Sequence, residues 1–193
     1  MVIPGFSIPI GLYNITNEEI NNETLVTDLR NYKKINTSEP LVHNGITSYF
    51  DNTETLLNEK NFISIGTALQ NKVYEYCSTI GIPKVSISSS WFNITQSNGM
   101  ILPHRHELSV ISGVYYPVVN EKTSPLILEN PLNIYRMVDC RYNIENNYTK
   151  KEMIIQPENG LLVLFSSYIN HYTKPCESER ITIAFDTIYE EKK

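Results

Sequence analysis

A chain of 193 residues is long enough for one domain with a sizeable core and short for two, so we expect a single domain. Hydrophobic residues make up 41% of the sequence, and thirteen tyrosines and ten prolines favour a folded, β-rich protein over a disordered or fibrous one. The formal net charge of −5, with no cluster of lysine and arginine, disfavours broad binding to nucleic acid.

The first residues and the cysteines predict a cytoplasmic protein. The start MVIPGFSIPIGLYNI lacks the charged region and the long apolar run of an export signal, and no later segment is apolar enough to cross a bilayer. Cys77, Cys140 and Cys176 are widely spaced and include no CxxC pair, which is typical of reduced thiols. The sequence leaves the oligomeric state open, and a homodimer is compatible with it.

The N-terminal part predicts helices and irregular chain. The stretch TNEE at 16–19 resembles a capping box and predicts a surface helix directly after it. From about 31 to 58 the sequence is polar and poorly periodic, which predicts a long connection. Apolar residues then recur at spacings of three and four from Phe62 to Ile80, before Gly81, and this pattern predicts the best-defined helix of the chain.

The hydrophobic period changes after this helix. Apolar residues alternate in short segments such as SVISGVYYPVV, GLLVLFSS and RITIAFDTI, with turn signals such as Asn98-Gly99 and PENG at 157–160 between them. At least six strands without intervening helices predict a mainly β fold of the α+β class. We expect a barrel or jelly roll over 83–189, with residues 1–82 as a helical and irregular layer on one of its sheets.

Two histidines flank Arg105 directly before the strand SVISGVYYPVV. In an extended chain alternate side chains share one face, so His104 and His106 point one way while Arg105 and Glu107 point the other way. Such a pair can bind one metal ion, although surface histidines at a strand end are the commoner interpretation.

His171 and Arg180 are further candidates. His171 follows the apolar strand GLLVLFSSYIN, which favours either a core histidine or a third metal ligand. In the last strand Arg180 and Thr182 share the face opposite the apolar residues, so both face the interior if the apolar face packs on the helices. A buried arginine needs an anionic partner, and no carboxylate in the sequence is an obvious one, so an anionic ligand is a candidate.

In this order the motifs resemble a family of 2-oxoglutarate, Fe(II)-dependent oxygenases from bacteria and bacteriophages. The motifs are SWFN at 90–93, Gly99, HRHELSVISGVYY at 104–116, PENGLLVLFSSYINH at 157–171 and ERITIAFD at 179–186. The ordered combination covers roughly residues 60–187 and is more specific than any one motif. The resemblance implies a double-stranded β-helix, a cupin-like jelly roll, with Fe(II) as its metal and 2-oxoglutarate as its cosubstrate.

The resemblance also implies roles for individual residues. His104 and His171 occupy positions of iron ligands, and Arg180, with Thr182, occupies the position that binds 2-oxoglutarate. Asn93 stands where related oxygenases have an Asn-x-Tyr asparagine, and it is a further candidate ligand of the cosubstrate.

The third iron ligand is where this sequence departs from the wider superfamily. Most members have an aspartate or glutamate at the position of His106, and here Glu107 follows one place later. Same-face geometry favours a site of His104, His106 and His171, because Glu107 would have to reach around from the opposite face. Three neutral ligands would leave the metal more positive than two histidines and a carboxylate do.

The resemblance implies an O₂-dependent dioxygenase that decarboxylates 2-oxoglutarate to succinate and CO₂ and usually hydroxylates its substrate. That substrate, a small molecule or a peptide, is not specified by the sequence. Trp91 and Tyr115, on strands near the site, and Arg136, in a loop, are candidate substrate contacts. For Trp91 and Tyr115 a place in the core is the commoner alternative.

Two other classes fit part of the pattern. A cupin-type metalloenzyme with three histidine ligands and no 2-oxo acid would not need Arg180. A non-enzymatic jelly-roll binding module would need neither the three histidines nor Arg180. Loss of activity on replacing Arg180 would favour the oxygenase over the cupin-type metalloenzyme. Stabilisation of the protein by metal would argue against the non-enzymatic binding module.

Overall fold

The computed structural model describes residues 7–16, 20–50, 55–132, 146 and 149–190. Within these ranges the chain forms two α-helices, one short 3₁₀ turn and nine strands. In chain order they are β1 (Gly11–Asn14), α1 (Asn22–Asn31), β2 (Val42–Thr47), the 3₁₀ turn (Leu56–Asn58), α2 (Ile63–Ile80), β3 (Val85–Ile101), β4 (Ile111–Tyr116), β5 (Leu126–Glu129), β6 (Glu152–Ile155), β7 (Leu161–Ser166), β8 (His171–Thr173) and β9 (Arg180–Tyr189). No helix in these ranges is long and apolar enough to span a bilayer.

The strands form two antiparallel sheets that face each other. The larger sheet has the order β1-β7-β4-β9-β3-β2, and the smaller sheet has the order β6-β5-β8. Their facing sides share one apolar core, in which Val114 of β4 and Phe165 of β7 pack with Leu126 and Leu128 of β5. This mainly β architecture with helices on one sheet confirms the fold class predicted from the sequence.

Helix α2 lies on the outer face of the larger sheet. Its buried side chains recur at the predicted spacing, and they form one core with residues of β3 and β9 such as Phe92 and Ile183. The helix ends at Ile80 because Gly81 adopts a φ of 75°, a left-handed conformation that glycine adopts without steric cost. The helix predicted from Phe62 to Ile80 is confirmed to within one residue at its start.

The alternation of β9 decides which side chains lie between the sheets. Ile181, Ile183 and Phe185 belong to the core shared with the helices. The intervening residues Arg180 and Thr182 therefore point towards the smaller sheet, as the sequence predicted, and both are buried.

The N-terminal part differs from its predicted layer. Besides α1 it supplies both edge strands of the larger sheet, since β1 pairs with β7 and β2 pairs with β3. Strand β2 lies inside the segment 31–58 that its polar sequence assigned to a connection, because the hydrogen-bonding edge of β3 recruits it. Helix α1 is capped by Asn21, whose side chain accepts from the Thr24 N–H, and residues 17–19 of the proposed capping box lie outside the described residues.

The turn predicted at Asn98-Gly99 is wrong, because β3 continues through it to Ile101. Asn98 has a φ of 64°, and the pairing of β2 with β3 shifts register between His43 and Gly45. The asparagine-glycine pair therefore lies in an irregular part of a long strand, where residues 96–99 of β3 are opposite only Asn44 of β2, and the chain does not reverse there.

Candidate metal and cosubstrate site

Three histidines come together between the two sheets. His104 and His171 form a β-bridge, in which each backbone N–H donates to the carbonyl of the other residue, at 3.1 and 2.8 Å. The N–H of His106 donates to the carbonyl of Ser167 at 3.0 Å, so the neighbouring chain segment holds both residues of the HxH pair. Ring nitrogens of the three histidines, one from each, lie within 4.8 Å of one another.

Hydrogen bonds fix the direction of all three rings. Nδ1 of His104 lies 2.8 Å from the carbonyl oxygen of Leu102, and Nδ1 of His171 lies 3.0 Å from that of Ile169. Nδ1 of His106 lies 2.5 Å from Oδ2 of Asp186. Carbonyl and carboxylate oxygens accept hydrogen bonds, so each Nδ1 carries a proton and Nε2 is the nitrogen of each ring that is left to bind a metal.

Burial keeps two of the rings neutral. Burial, and then the neighbouring His106, lowers the pKa of His104 to about 4. Burial, followed by the two neighbouring histidines, lowers the pKa of His171 well below its usual value. Neutral imidazole with a free lone pair is the form that binds transition metals. The donor set of the cluster therefore fits Fe(II), which accepts imidazole ligands.

Glu107 lies apart from the cluster. It is exposed, and the next residue, Leu108, is fully exposed with a φ of 63°. The chain turns there, so the regular strand expected around His104 is replaced by a single bridge followed by a turn. The structure thus brings His106, and not Glu107, together with His104 and His171.

Arg180 is a buried cation in the same cavity. It is 3% exposed, its guanidinium lies over the ring of Tyr116, and one of its terminal nitrogens donates to the Tyr116 hydroxyl at 2.8 Å. Its Nε is buried without a hydrogen-bond partner, and no carboxylate of the described residues forms an ion pair with it. A buried charge in this state is costly, so the position suits an anionic ligand such as the carboxylate of 2-oxoglutarate.

The cavity joins the histidines to the candidate cosubstrate residues. Asn93 of β3 and Thr182 of β9 are directly paired across the larger sheet. The predicted site residues that line this cavity are Trp91, Asn93, His104, His106, His171, Arg180 and Thr182.

The three candidate substrate contacts have different positions. Trp91 stacks on the ring of His106, with centroids 5.6 Å apart and planes 16° apart. Tyr115 lies on the opposite face of β4, fully buried in the helical core, where its hydroxyl donates to Asn22. The structure therefore does not bring Tyr115 to the histidines. Arg136 lies outside the described residues.

A second cavity, of about 360 Å³, reaches the histidines from another side. It shares Trp91, Asn93, Ile101, His104 and His106 with the first cavity. Its remaining lining comes from the chain around β2, including Tyr49, from Arg105 and from the turn after His106. The cluster therefore stands between a cavity that contains Arg180 and a cleft that does not.

Sequence reasoning considered Tyr116 only as a core residue or a substrate contact and gave no role to Asp186, yet both contact the site. Tyr116 holds the Arg180 guanidinium, and Asp186 holds the His106 ring. The alternation of β9 places Asp186 on the same face as Arg180, and this was the only sequence signal that Asp186 lies near the site. Its partner was hidden because His106 is 80 residues away in the chain.

Comparisons with known proteins agree with this geometry. A family model described as "Putative 2OG-Fe(II) oxygenase" matches residues 89–186, just over half of the chain. No curated protein sequence is significantly similar to this chain.

Several solved structures are similar at low sequence identity. A prolyl-4-hydroxylase from Pseudomonas putida has a TM-score of 0.61 at 13% identity, covering 95% of this chain and 94% of that chain. A prolyl hydroxylase from Trichoplax adhaerens has a TM-score of 0.63 at 14% identity, covering 93% and 83%. HygX from Streptomyces hygroscopicus, solved with nickel and 2-oxoglutarate bound, has a TM-score of 0.60 at 8% identity, covering 94% and 83%.

These structural likenesses identify the fold as the double-stranded β-helix, which confirms the predicted jelly roll. The family match confirms the resemblance seen in the sequence motifs and, with it, Fe(II) and 2-oxoglutarate as the cofactors. Because that match spans half of its length, the chain belongs to the family of 2-oxoglutarate, Fe(II)-dependent oxygenases.

Proposed function

We propose that the enzyme hydroxylates a C–H bond of its substrate. One oxygen atom of O₂ would enter the substrate and the other would enter succinate, as 2-oxoglutarate loses CO₂. The observation that carries this proposal is the pairing, in one cavity, of three imidazoles with free Nε2 atoms and a buried arginine without an anion.

His104, His106 and His171 are the proposed metal ligands. Bound Fe(II) would supply the redox chemistry that couples reduction of O₂ to decarboxylation and to attack on the substrate. The histidines contribute a rigid donor set, since each ring is already held through Nδ1. Burial keeps His104 neutral at pH 7, so metal binding there displaces no proton.

Arg180, Thr182 and Asn93 are the proposed ligands of 2-oxoglutarate. Arg180 would pair with the carboxylate at the far end of the molecule through its free Nε, while Tyr116 keeps the guanidinium in place. Thr182 and Asn93 add a hydroxyl and an amide to the same wall of the cavity. Together these contacts would orient the 2-oxo acid end towards the histidines.

The outer cleft is the proposed route for the substrate, with Trp91 as part of its wall. The Trichoplax adhaerens enzyme was solved with a peptide fragment of hypoxia inducible factor and HygX with hygromycin B, so this fold accepts both a peptide and a small molecule. We propose a peptide or a small molecule as the substrate here. We further propose that the chain is one domain, since β1 and β2 complete the sheet that carries the site.

The proposal is tested first by binding, under anaerobic conditions. Fe(II) and 2-oxoglutarate, each at about one hundred times its Kd, should each stabilise the protein by roughly 2.7 kcal/mol, or roughly 5.4 kcal/mol together. For a chain of this size the combined effect corresponds to a rise of roughly 10–20 °C in Tm. A folded protein whose Tm does not respond to the two together would refute the proposal.

The second test is turnover in air with candidate peptides and metabolites. Succinate should form in a one-to-one ratio with the hydroxylated product, and label from ¹⁸O₂ should appear in both. The variant His171→Ala should form neither. A product that gains oxygen without consumption of 2-oxoglutarate would contradict the proposed reaction.

A further inference from the structure

Asp186 is, among the residues that the structure describes, the carboxylate that contacts the histidine cluster. It is 5% exposed, and its Oδ2 accepts from Nδ1 of His106 at 2.5 Å. A site of two histidines and one carboxylate gives its metal an anionic ligand, whereas three imidazoles give none. In this protein a carboxylate is nevertheless present, one imidazole ring away from the proposed metal position.

Both oxygens of Asp186 are held in place. Ser112 lies directly opposite Asp186 in the pairing of β4 with β9, and its hydroxyl donates to Oδ1 at 2.6 Å. Because the Ser112 hydroxyl has only one proton and donates it to Asp186, it accepts a hydrogen bond from the Ser167 hydroxyl, at 2.9 Å. Ser167 also accepts the N–H of His106 through its carbonyl. The network thus ties the carboxylate and the histidine backbone to the same central strands.

The ring of His106 also lies nearly parallel to two neighbouring rings. Trp91 stacks on it with centroids 5.6 Å apart, and His171 stacks on it at 5.1 Å with planes 17° apart. Stacking defines the plane of the ring but does not choose which nitrogen points towards the other histidines. The hydrogen bond to Asp186 makes that choice, because the carboxylate accepts only from a protonated Nδ1.

We propose that Asp186 is a positioning residue of the metal site. It fixes the tautomer and direction of His106 so that Nε2 faces His104 and His171, and it supplies through the ring the negative charge that a coordinating carboxylate supplies in related sites. The proposal rests on the three-histidine site proposed above. Partners of this kind typically contribute ten- to one hundred-fold in metal affinity.

The test compares Co(II) binding by the wild-type protein and by Asp186→Asn, using calorimetry and the visible absorption of Co(II). Asparagine has nearly the same shape, but its amide can donate to Nδ1 and so permit the wrong tautomer. We expect the Kd for Co(II) to rise about ten- to one hundred-fold and the absorption spectrum to change. Asp186→Glu, which restores a carboxylate, should recover part of the loss.

Ser112→Ala is the matched control. It removes one hydrogen bond to Asp186 but leaves the carboxylate in contact with His106, so its Kd for Co(II) should stay within about threefold of wild type, well inside the effect expected for Asp186→Asn. If the Asn variant does not fold, the wild-type protein still tests the proposal through ¹⁵N-labelled histidine in its Zn(II) form. Its spectrum should show His106 protonated at Nδ1 and metal-bound at Nε2. The opposite assignment would overturn the proposal.

The possible failures are distinguishable. If the wild-type protein binds neither Co(II) nor 2-oxoglutarate, the proposed function fails and this inference fails with it. If the wild type binds both, and Asp186→Asn binds Co(II) within twofold of the wild type, the function stands and Asp186 has only a structural role.

Discussion

Arg180→Ala should abolish the preference of the enzyme for 2-oxoglutarate over 2-oxobutyrate, which lacks the distal carboxylate. Arg180 is buried, its Nε has no hydrogen-bond partner, and no carboxylate of the described residues pairs with it. Its free donors are therefore available to the ligand. The variant keeps the three histidines, so it should still bind metal.

The magnitude follows from the burial of Arg180. Removing one partner of a buried ion pair typically costs about 3–5 kcal/mol. That converts to a rise of roughly one hundred- to several thousand-fold in the Kd for 2-oxoglutarate. The Kd for 2-oxobutyrate should change by less than about threefold, because it forms no such pair.

The assay is anaerobic calorimetry with the Mn(II)-loaded protein, for both ligands and both variants. Arg30→Ala is the control, since Arg30 is an exposed arginine on α1 that pairs with Glu179. It should leave both affinities unchanged. If Arg180→Ala still binds 2-oxoglutarate within threefold of wild type and still prefers it, the assignment of Arg180 to the cosubstrate is refuted.

Three other predictions concern metal binding, packing and pH. His171→Ala should remove the rise in Tm that Co(II) causes, whereas His43→Ala, at an exposed histidine, should keep it. Gly113→Ala should lower the urea-measured free energy of unfolding by about 1–3 kcal/mol, because the new Cβ would lie 2.1 Å from the Phe185 ring, and an unchanged value would contradict that packing. Burial raises the pKa of Tyr76 to about 12, so its native state retains a proton that the unfolded chain loses near pH 10. The free energy of unfolding, measured by urea titration, should therefore be lower at about pH 12 than at about pH 10. The difference between the two pH values should be smaller for Tyr76→Phe than for the wild type.

Local periodicity was sufficient to predict the elements that frame the site. The spacing of apolar residues in α2 and the alternation in β9 both depend on which side of an element is buried, and burial is encoded residue by residue. For that reason the sequence predicted correctly that Arg180 and Thr182 point away from the helical core. The family resemblance, together with same-face geometry at the HxH pair, added His104, His106 and His171.

The features that were missed depend on distant partners. Strand β2 carries no clear alternation, and it is a strand because the edge of β3 offers it hydrogen bonds. Tyr115 and Tyr116 are adjacent and alike in sequence, but only Tyr116 faces Arg180, since Tyr115 faces Asn22 on the helical side. Asp186 likewise gains its role from a contact with a residue far away in the chain.

His104, His106 and His171 are the proposed iron ligands, and Arg180 is the proposed ligand of the cosubstrate. The most direct measurement is a crystal structure of the protein soaked anaerobically with Fe(II) and 2-oxoglutarate. We expect the metal bound by Nε2 of all three histidines and the distal carboxylate of 2-oxoglutarate against Arg180. Iron coordinated by Glu107 in place of His106, or 2-oxoglutarate bound away from Arg180, would contradict these assignments.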